Sequence, residues 1–228
     1  MSAFSAAIAL GFGYLETDVH TTSDDVAVVF HDRTLDRVTD RTGRIDRLPW
    51  AQVKKARIAS SEPIPRLDDV LDAFPELRIN IDMKSPGSVP GVTRAIQRAG
   101  ALDRVCVASF VDARIAAARQ ILGPSLCTSL GRRGVAALRL ASFSPRAGAL
   151  LGVRAACAQM PMAIAGRQLV DRRLVETAHN LGLQVHVWTL NSAADIEHAL
   201  DLGVDGIMTD APAVLREVLE SRGRWPQV

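Results

Sequence analysis

The stretch Y-L-E-T-D-V-H-T-T-S-D-D-V-A-V-V-F-H-D, residues 14–32, contains two apolar runs on either side of a short polar turn. This pattern predicts a strand over residues 14–20 and a second, antiparallel strand over residues 26–30. Because successive side chains of a strand point to opposite faces, Glu16 and Asp18 lie on one face. Two carboxylates therefore lie side by side at one end of the first predicted strand.

The rest of the chain alternates short strand patterns with helical patterns. Counting the first strand, the segments that read as a strand followed by a helix begin near residues 14, 77, 105, 126, 156, 184 and 206. This alternation predicts an α/β fold with parallel strands and crossover helices. These strands are one fewer than a TIM (β/α)8 barrel requires, and the chain opens with a helical pattern. We therefore expect a TIM barrel missing its first strand, with an open sheet as the alternative.

The chain is long enough for one domain of this type. It has 228 residues, of which 48% are hydrophobic, and α/β barrels of this length commonly form a single domain. Residues 32–65 are polar, are rich in Arg, Asp and Thr, and interrupt the alternation after the hairpin. We expect one domain over residues 1–228, with a small insertion at about residues 32–65, after the second barrel strand.

The composition argues against several classes of protein. The net charge is +2 and the arginines form no long basic run, which argues against a nucleic-acid partner. No apolar run approaches ~20 residues, so no membrane span is predicted, and the first residues lack the charged region of a signal peptide. The three cysteines are widely spaced, which indicates buried thiols in a reducing compartment. These features predict a cytoplasmic protein.

The two carboxylates of the opening stretch favour a metal site. Inside a barrel, near the carboxyl end of a strand, Glu16 and Asp18 would repel each other and would lose their hydration. A hard divalent cation such as Mg²⁺ or Ca²⁺ prefers oxygen ligands of this kind and relieves both effects. The alternative is a pair of surface acids that face Arg or Lys side chains.

The hairpin turn predicts a histidine beside these acids. If the turn consists of residues 24–25, the two strands pair so that His31 lies opposite Asp18. The same register places Arg33 opposite Glu16. A metal site with a nearby imidazole can split a phosphate ester, because the metal neutralises phosphoryl oxygens and the imidazole transfers a proton. The alternative for His31 is a hydrogen-bonded histidine of the hairpin.

Two later segments add candidate site residues. In R-I-N-I-D-M-K, residues 78–84, Asp82 is a candidate third metal ligand and Lys84 a candidate cation for a phosphate. An ordinary ion pair is the alternative for these two residues. In Q-V-H-V-W-T-L-N, residues 184–191, Trp188 lies at a strand end and is a candidate apolar wall of the site. Core packing is the alternative for this tryptophan.

In this order, the quoted segments resemble the glycerophosphodiester phosphodiesterase family. The resemblance runs from residue 1 to about 218 and is strongest over E-T-D-V-H-T-T-S-D-D-V-A-V-V-F-H-D-R-T-L-D-R-V-T, followed by I-P-R-L-D-D-V-L, I-D-M-K, V-W-T-L-N and G-V-D-G-I-M-T-D-A-P. It implies a TIM (β/α)8 barrel with a small insertion after the second strand. It also implies divalent-metal-dependent hydrolysis of a small-molecule glycerophosphodiester to glycerol 3-phosphate and an alcohol, as in lipid and glycerol metabolism.

The resemblance implies which residues hold the metal. Glu16 and Asp18 match two of the family's metal ligands. Asp82 stands where the family usually has a glutamate, whose side chain is one methylene longer, so a longer metal–oxygen distance or an intervening water is implied. Asp25 stands where the family has a turn glycine, and aspartate tolerates a positive φ less well than glycine does.

The resemblance also implies which residues act on the substrate. His31 matches one of the family's two catalytic histidines. Lys84 matches a phosphate-binding lysine, and Trp188 matches an aromatic residue that lines the alcohol side. The family opens with a strand that ends in His-Arg-Gly, whereas this sequence begins inside the helix that follows that strand. We therefore expect the other catalytic histidine and a phosphate-binding arginine to be missing.

The missing segment leaves other functions open. Loss of one of two acid/base groups lowers a rate by about 10²–10⁴, so one alternative is an N-terminally truncated, non-catalytic relative that binds metal without turnover. The other is a phospholipase D-like enzyme that acts on membrane phospholipids and needs an exposed apolar rim near the barrel mouth. The aromatic content of 4% argues against such a rim.

Overall fold

Parallel strands alternate with helices along the chain, as the sequence pattern predicts. The computed structural model describes residues 1–144 and 155–225, which fall into two units, Met1–Thr128 and Ser129–Val228. No helix in the described ranges is long and apolar enough to cross a membrane. The expected α/β class is confirmed, because both units contain parallel strands and helices in alternation.

The first unit contains a five-stranded sheet and a separate short ribbon. The sheet has the order β2-β1-β5-β6-β7, with β2 antiparallel to β1 and the other pairs parallel. Its strands are β1 (Tyr14–Thr21), β2 (Ala27–Val29), β5 (Arg78–Met83), β6 (Val105–Ala108) and β7 (Cys127–Thr128), and the ribbon pairs β3 (Arg57–Ile58) with β4 (Glu62–Pro63). The helices are α1 (Ser2–Ala9), α2 (Trp50–Val53), α3 (Leu67–Ala73), α4 (Ser88–Arg98) and α5 (Asp112–Leu122).

One face of β1 and β5 packs into the core, and the other face carries the candidate site. Val19, Ile79 and Ile81 are at most 1% exposed and pack in a cluster with apolar residues of α3 and α4. Asp18 and Asp82 pair in register on the opposite face. Because side chains alternate along a strand, burial of the apolar set fixes the face on which the carboxylates lie.

The β1–β2 hairpin has a register one residue away from the predicted one. Phe30, and not His31, lies opposite Asp18, since the amide of Phe30 donates a hydrogen bond to the carbonyl of Asp18 at 2.9 Å. The prediction that placed His31 at this position is therefore wrong. The pairing of Arg33 with Glu16, which followed from the same register, is wrong for the same reason.

The length of the turn causes this shift. Residues 23–25 form a three-residue loop, which the amide of Thr22 closes by donating to the carbonyl of Val26 at 3.0 Å. Asp25, the last loop residue, has a left-handed backbone with a φ of 63°. This conformation is typical of three-residue hairpin loops. The extra loop residue moves every pair of the ladder by one position relative to the predicted two-residue turn.

Asp25→Gly is expected to stabilise the protein by about 0.5 kcal/mol. The left-handed backbone costs an L-residue about 1–2 kcal/mol, and glycine adopts it freely but loses more entropy on folding. The bond that Arg94 donates to the carbonyl of Asp25, at 3.1 Å, uses the backbone and persists. Urea unfolding measures the change, with Asp25→Ala as the control. An equal gain in the alanine variant would contradict the backbone explanation.

Residues 32–65, the predicted insertion, lie between β2 and α3. They contain a 3-10 turn at Ile45–Arg47 together with α2, β3 and β4. Val28 and Phe30 of the hairpin bring their side chains into the insertion's own apolar cluster, whose other buried members are Leu35, Ile45, Val53, Ala56 and Ile64. Ala27 and Val29 belong instead to the apolar cluster of β1, β5, α3 and α4. The insertion therefore packs on the hairpin face that carries Val28 and Phe30.

The second unit contains a three-stranded parallel sheet in the order β12-β11-β8. Its strands are β8 (Cys157–Pro161), β11 (Gln184–Trp188) and β12 (Gly206–Ile207), and β9 (Ala163–Ile164) pairs with β10 (Arg167–Gln168) in a short hairpin. The helices are α6 (Arg132–Ala141), α7 (Arg172–Asn180), α8 (Ala193–Leu202) and α9 (Pro212–Ser221). Asp171 caps α7 by accepting from the amide of Leu174 at 2.8 Å.

The strand positions agree with the sequence pattern. The strands that precede helices begin at residues 14, 78, 105, 127, 157, 184 and 206, each within one residue of its predicted start. The described ranges contain separate sheets and not one closed barrel. The eight-stranded closure, the missing first strand and the single domain over residues 1–228 therefore stay predictions.

Candidate active site

The candidate site of the first unit lies where β1 and β5 run side by side. Asp18 and Asp82 pair in register, and their side chains are 14% and 13% exposed. Lys84 directly follows β5, and its Nζ lies 2.7 Å from Asp18 Oδ1 and 2.7 Å from Asp82 Oδ2. We call these three residues the carboxylate–lysine triad. Two carboxylates thus share one ammonium group in a largely buried position.

Burial opposes the charges of this triad. It raises the pKa of Asp18 above its ordinary value, although the hydrogen bond from Lys84 acts in the opposite direction. Burial also acts to lower the pKa of Lys84, but the hydrogen bonds to Asp18 and Asp82 outweigh it and hold that pKa above its ordinary value. Because the carboxylates outnumber the ammonium group, the triad can accept a further cation.

Glu16 lies on the same face of β1, two residues before Asp18, and its register partner is Asn80. It is exposed, whereas Asp18 is half-buried. In residues 1–144 and 155–225, no group of three or more His, Cys, Asp or Glu side chains is arranged to hold a metal ion. The structure therefore brings Asp18 and Asp82 together, whereas their grouping with Glu16 as three metal ligands stays a prediction.

The chemistry of the donors nevertheless suits a hard divalent cation. Asp82 Oδ1 is buried and has no hydrogen-bond partner in the part of the chain that the structure describes. A buried oxygen without a partner is unfavourable, and carboxylate oxygens are the ligands that Mg²⁺ and Ca²⁺ prefer. A cation bound by Asp18 and Asp82 would satisfy this oxygen, and it would compete with Lys84 for both carboxylates.

His31 follows the hairpin, and its side chain is 71% exposed. Its Nδ1 lies 2.7 Å from Asp32 Oδ1, and Arg37 donates to both oxygens of Asp32, at 2.6 and 2.9 Å. The hydrogen bonds from Arg37 and His31 hold the pKa of Asp32 far below its usual range. Ionised Asp32 can only accept, so Nδ1 of His31 donates and its Nε2 is left for proton transfer.

Sequence reasoning missed two residues that hold His31. Asp32 orients the imidazole ring, and the adjacent letters H-D at the end of the opening stretch were the only signal for it. His20 lies on the strand face of Asp18, is 6% exposed, and its Nε2 lies 3.2 Å from the carbonyl of His31. Because a carbonyl only accepts, Nε2 of His20 carries the proton. Burial lowers the pKa of His20 and favours this neutral form.

Buried His20 predicts a loss of stability in weak acid. Its pKa is lower in the folded state than in the unfolded state, so the unfolded state binds more protons as the pH falls below about 6.5. Stability from this group is present above that pH and falls by up to about 1.4 kcal/mol per pH unit below it. Urea unfolding from pH 7.5 to 5 measures the slope.

The variant His20→Gln tests this pH dependence, because the glutamine amide can still donate to the carbonyl of His31. We expect this variant to lose less stability than wild type between pH 7.5 and 5. His198→Gln changes an exposed histidine and serves as the matched control. Equal slopes in wild type and His20→Gln would show that His20 is not responsible.

Trp188 lies in the second unit, at the end of β11, where it pairs in register with Pro161. Trp188 and His186, two residues earlier, are both half-buried. Val185 and Val187, whose side chains point to the other face of the strand, are buried. A Cβ on Gly206 would come within 2.7 Å of the imidazole of His186, so this ring packs on the glycine. Trp188 and His186 therefore share one face of β11, and the substrate-binding role of Trp188 stays a prediction.

Comparison with known proteins gives consistent matches. The model of the glycerophosphoryl diester phosphodiesterase family matches residues 1–214. The chain is 38% identical over 227 residues to a Mycobacterium tuberculosis protein named probable glycerophosphodiester phosphodiesterase 2, covering 99% of this chain and 86% of that protein. It is 26% identical over 267 residues to lysophospholipase D GDPD1 of Rattus norvegicus, and the match covers 97% of this chain and 81% of that protein.

A solved structure shows the same fold. An Oleispira antarctica phosphodiesterase, in complex with the product sn-glycerol-3-phosphate, superposes with a TM-score of 0.79 at 20% identity, over 96% of this chain and 89% of that chain. At this identity the likeness shows the fold alone. The family match over residues 1–214 and the 38% identity over nearly the whole chain carry the assignment. The chain belongs to the glycerophosphoryl diester phosphodiesterase family.

Proposed function

We propose that the protein hydrolyses glycerophosphodiesters, which are small-molecule substrates, to glycerol 3-phosphate and an alcohol. The carboxylate–lysine triad carries this proposal. Phosphodiester cleavage places negative charge on phosphoryl oxygens, and the triad offers one cation together with two carboxylates able to hold a second. The relatives named glycerophosphodiester phosphodiesterase support the same reaction.

Glu16, Asp18 and Asp82 are the proposed ligands of a divalent cation, Mg²⁺ or Ca²⁺. A cation bound there would withdraw negative charge from a phosphoryl oxygen. Asp82 Oδ1, which has no hydrogen-bond partner among the described residues, supports this assignment. Pairing of β1 with β5 holds Asp18 and Asp82 in place before any cation binds, and Glu16 would complete the set from the exposed side.

Lys84 is the proposed cation for the phosphate group. Its ammonium lies between the two carboxylates, so binding of a divalent cation by these carboxylates would release it to pair with a second phosphoryl oxygen. Trp188, at the end of β11, is the proposed apolar wall on the alcohol side. This role rests on the resemblance and on the position of Trp188 at a strand end.

His31 is the proposed group for proton transfer. Its Nδ1 donates to Asp32, which fixes the ring and leaves Nε2 to give a proton to the leaving alcohol or to take one from the attacking group. Arg37 keeps Asp32 ionised through two hydrogen bonds. The exposed position of His31 gives its Nε2 access to a substrate that enters from solvent.

Release of glycerol 3-phosphate from glycerophosphocholine tests the proposal. We expect release in the presence of Mg²⁺ or Ca²⁺ and its loss after addition of EDTA. The double variant Asp18→Asn, Asp82→Asn, which keeps the shape of both side chains, serves as the control. Binding of the cation without release of product from any glycerophosphodiester would instead support a non-catalytic relative.

A lysophospholipase D is a second candidate function, for one specific reason. Phe110 and Val111 follow β6 and are 44% and 43% exposed, and the ring of Phe110 lies beside Lys84. An apolar surface at this position could accept the acyl chain of a lysophospholipid, the substrate class in the name of one relative. Parallel assays with glycerophosphocholine and lysophosphatidylcholine distinguish the two functions by the ratio of their kcat/KM values.

A further inference from the structure

The corner between β6 and α5 holds the backbone between Asp82 and Lys84. Ser109 Oγ donates a hydrogen bond to the carbonyl of Met83 at 2.9 Å. Arg114 Nη1 donates to the same carbonyl, also at 2.9 Å. Met83 is the residue between Asp82 and Lys84. Two donors from one corner therefore fix the carbonyl of the one residue that lies between two of the proposed site residues.

The same corner also contacts the side chain of Lys84. The Nζ of Lys84 lies 5.7 Å from the centroid of the Phe110 ring, a distance at which an ammonium is attracted to the face of an aromatic ring. Phe110 is 44% exposed, so packing of the protein core does not account for the position of its ring beside Lys84. Residues 109–114 thus contact both the carbonyl of Met83, which precedes Lys84, and the side chain of Lys84.

Arg114 is an unusual arginine for a purely structural role. Its Nε is buried and has no hydrogen-bond partner among the described residues, which is unfavourable. Arg104 of the same unit provides the contrast, because it donates three bonds to the carbonyls of Leu71, Phe74 and Leu77 at 2.8–3.3 Å. Arg104 joins segments of the fold, whereas Arg114 donates to the carbonyl of the residue between Asp82 and Lys84.

We infer that Arg114 and Ser109 are positioning residues for Asp82 and Lys84, and that Phe110 directs the ammonium of Lys84. The inference rests on the proposed function. Loss of either side-chain donor to the carbonyl of Met83 lets the segment between Asp82 and Lys84 shift, and a small displacement of groups that act on one phosphate lowers the rate.

Lysine labelling tests this positioning without substrate or metal. Lys54, Lys55 and Lys84 are the only lysines in the sequence, so mass spectrometry after brief reductive methylation follows Lys84 against two exposed internal references. In Arg114→Met we expect Lys84 to react about fivefold faster relative to Lys54, the scale of one lost hydrogen bond. In Phe110→Leu we expect Lys84 to react about threefold faster relative to Lys54, the scale of one exposed cation–π contact.

Kinetics give the second readout. Arg114→Met is expected to lower kcat for glycerophosphocholine by about 10–100-fold, the usual effect of removing a group that orients a functional side chain, with a smaller change in KM. Arg114→Lys should recover part of this loss, because lysine can still donate to the carbonyl of Met83. Arg104→Met is the matched control, and it should lower the melting temperature without changing the labelling ratio of Lys84.

The two readouts separate this inference from the proposed function. If wild type releases no glycerol 3-phosphate but Arg114→Met speeds the labelling of Lys84, the positioning stands and the proposed function fails. If the labelling ratio in Arg114→Met and Phe110→Leu equals that of wild type or of Arg104→Met, the positioning inference is overturned, whatever the activity.

Discussion

Glu16→Ala is expected to abolish hydrolysis while leaving the fold intact. If Glu16 is a ligand of the divalent cation, its loss removes electrostatic stabilisation of the phosphoryl group, and kcat/KM falls on the order of 10³-fold. Glu16 is exposed on β1, so the change in the free energy of unfolding should stay within about 0.5 kcal/mol. Product release under saturating Mg²⁺ or Ca²⁺ measures the first quantity, and urea unfolding the second.

The matched control for this prediction is Glu76→Ala, which removes an exposed glutamate between α3 and β5. It should retain the activity of wild type. Affinity for Mn²⁺, measured by titration calorimetry without substrate, should fall in Glu16→Ala and stay unchanged in Glu76→Ala. A Glu16→Ala variant that keeps more than about a tenth of the wild-type kcat/KM would contradict the metal assignment. Removing one stabilising group from such a site typically lowers the rate by about 10²-fold or more.

The strand positions of the first unit were largely predictable, and the hairpin register was not. Apolar runs such as R-I-N-I-D-M set strand positions to within a residue, because each run must be buried along its length. Register depends instead on the number of loop residues. Asp25 adopts the left-handed conformation that lengthens the loop to three residues. An aspartate in the sequence predicts this conformation less clearly than a glycine does. This one residue moved His31 away from its predicted position opposite Asp18.

The members of the site were predictable to different degrees. Asp18 lies within β1 and Asp82 near the end of β5, and neighbouring parallel strands in register bring residues on the same face together, so their meeting follows from the pattern. The position of Lys84 between both carboxylates depends on the path of its side chain, which spacing does not reveal. The bond from Arg114 to the carbonyl of Met83 spans 31 positions of the chain, and a lone arginine on a helix carries no sequence signal for it.

Lys84→Met is expected to change activity and cation affinity in opposite directions. The ammonium lies 2.7 Å from both carboxylates of the triad, so it competes with a divalent cation for the same oxygens. Its removal should tighten Mn²⁺ binding by about tenfold or more, equivalent to at least ~1.4 kcal/mol. Hydrolysis should nevertheless fall by about 10²–10³-fold, because the phosphate loses its proposed cation.

The same substitution should destabilise the protein when no divalent cation is present. Asp18 and Asp82 would then face each other without a shared positive charge, and removing one partner of a buried ion pair costs up to about 3–5 kcal/mol. The loss should be smaller at low pH, because burial raises the pKa of Asp18 and protonation of this carboxyl relieves the repulsion. Addition of Mn²⁺ should restore stability, because a ligand that binds only the folded state stabilises it in proportion to the logarithm of its concentration.

Lys54→Met is the matched control, since it removes an exposed lysine from the insertion and should leave activity, Mn²⁺ affinity and stability unchanged. Calorimetry for Mn²⁺, urea unfolding with and without Mn²⁺, and product release give the three quantities for each variant. Weaker Mn²⁺ binding in Lys84→Met would mean that Asp18 and Asp82 do not bind the divalent cation at the position that the ammonium of Lys84 occupies. Opposite changes in affinity and rate arise only if Lys84 both competes for the metal ligands and serves the phosphate.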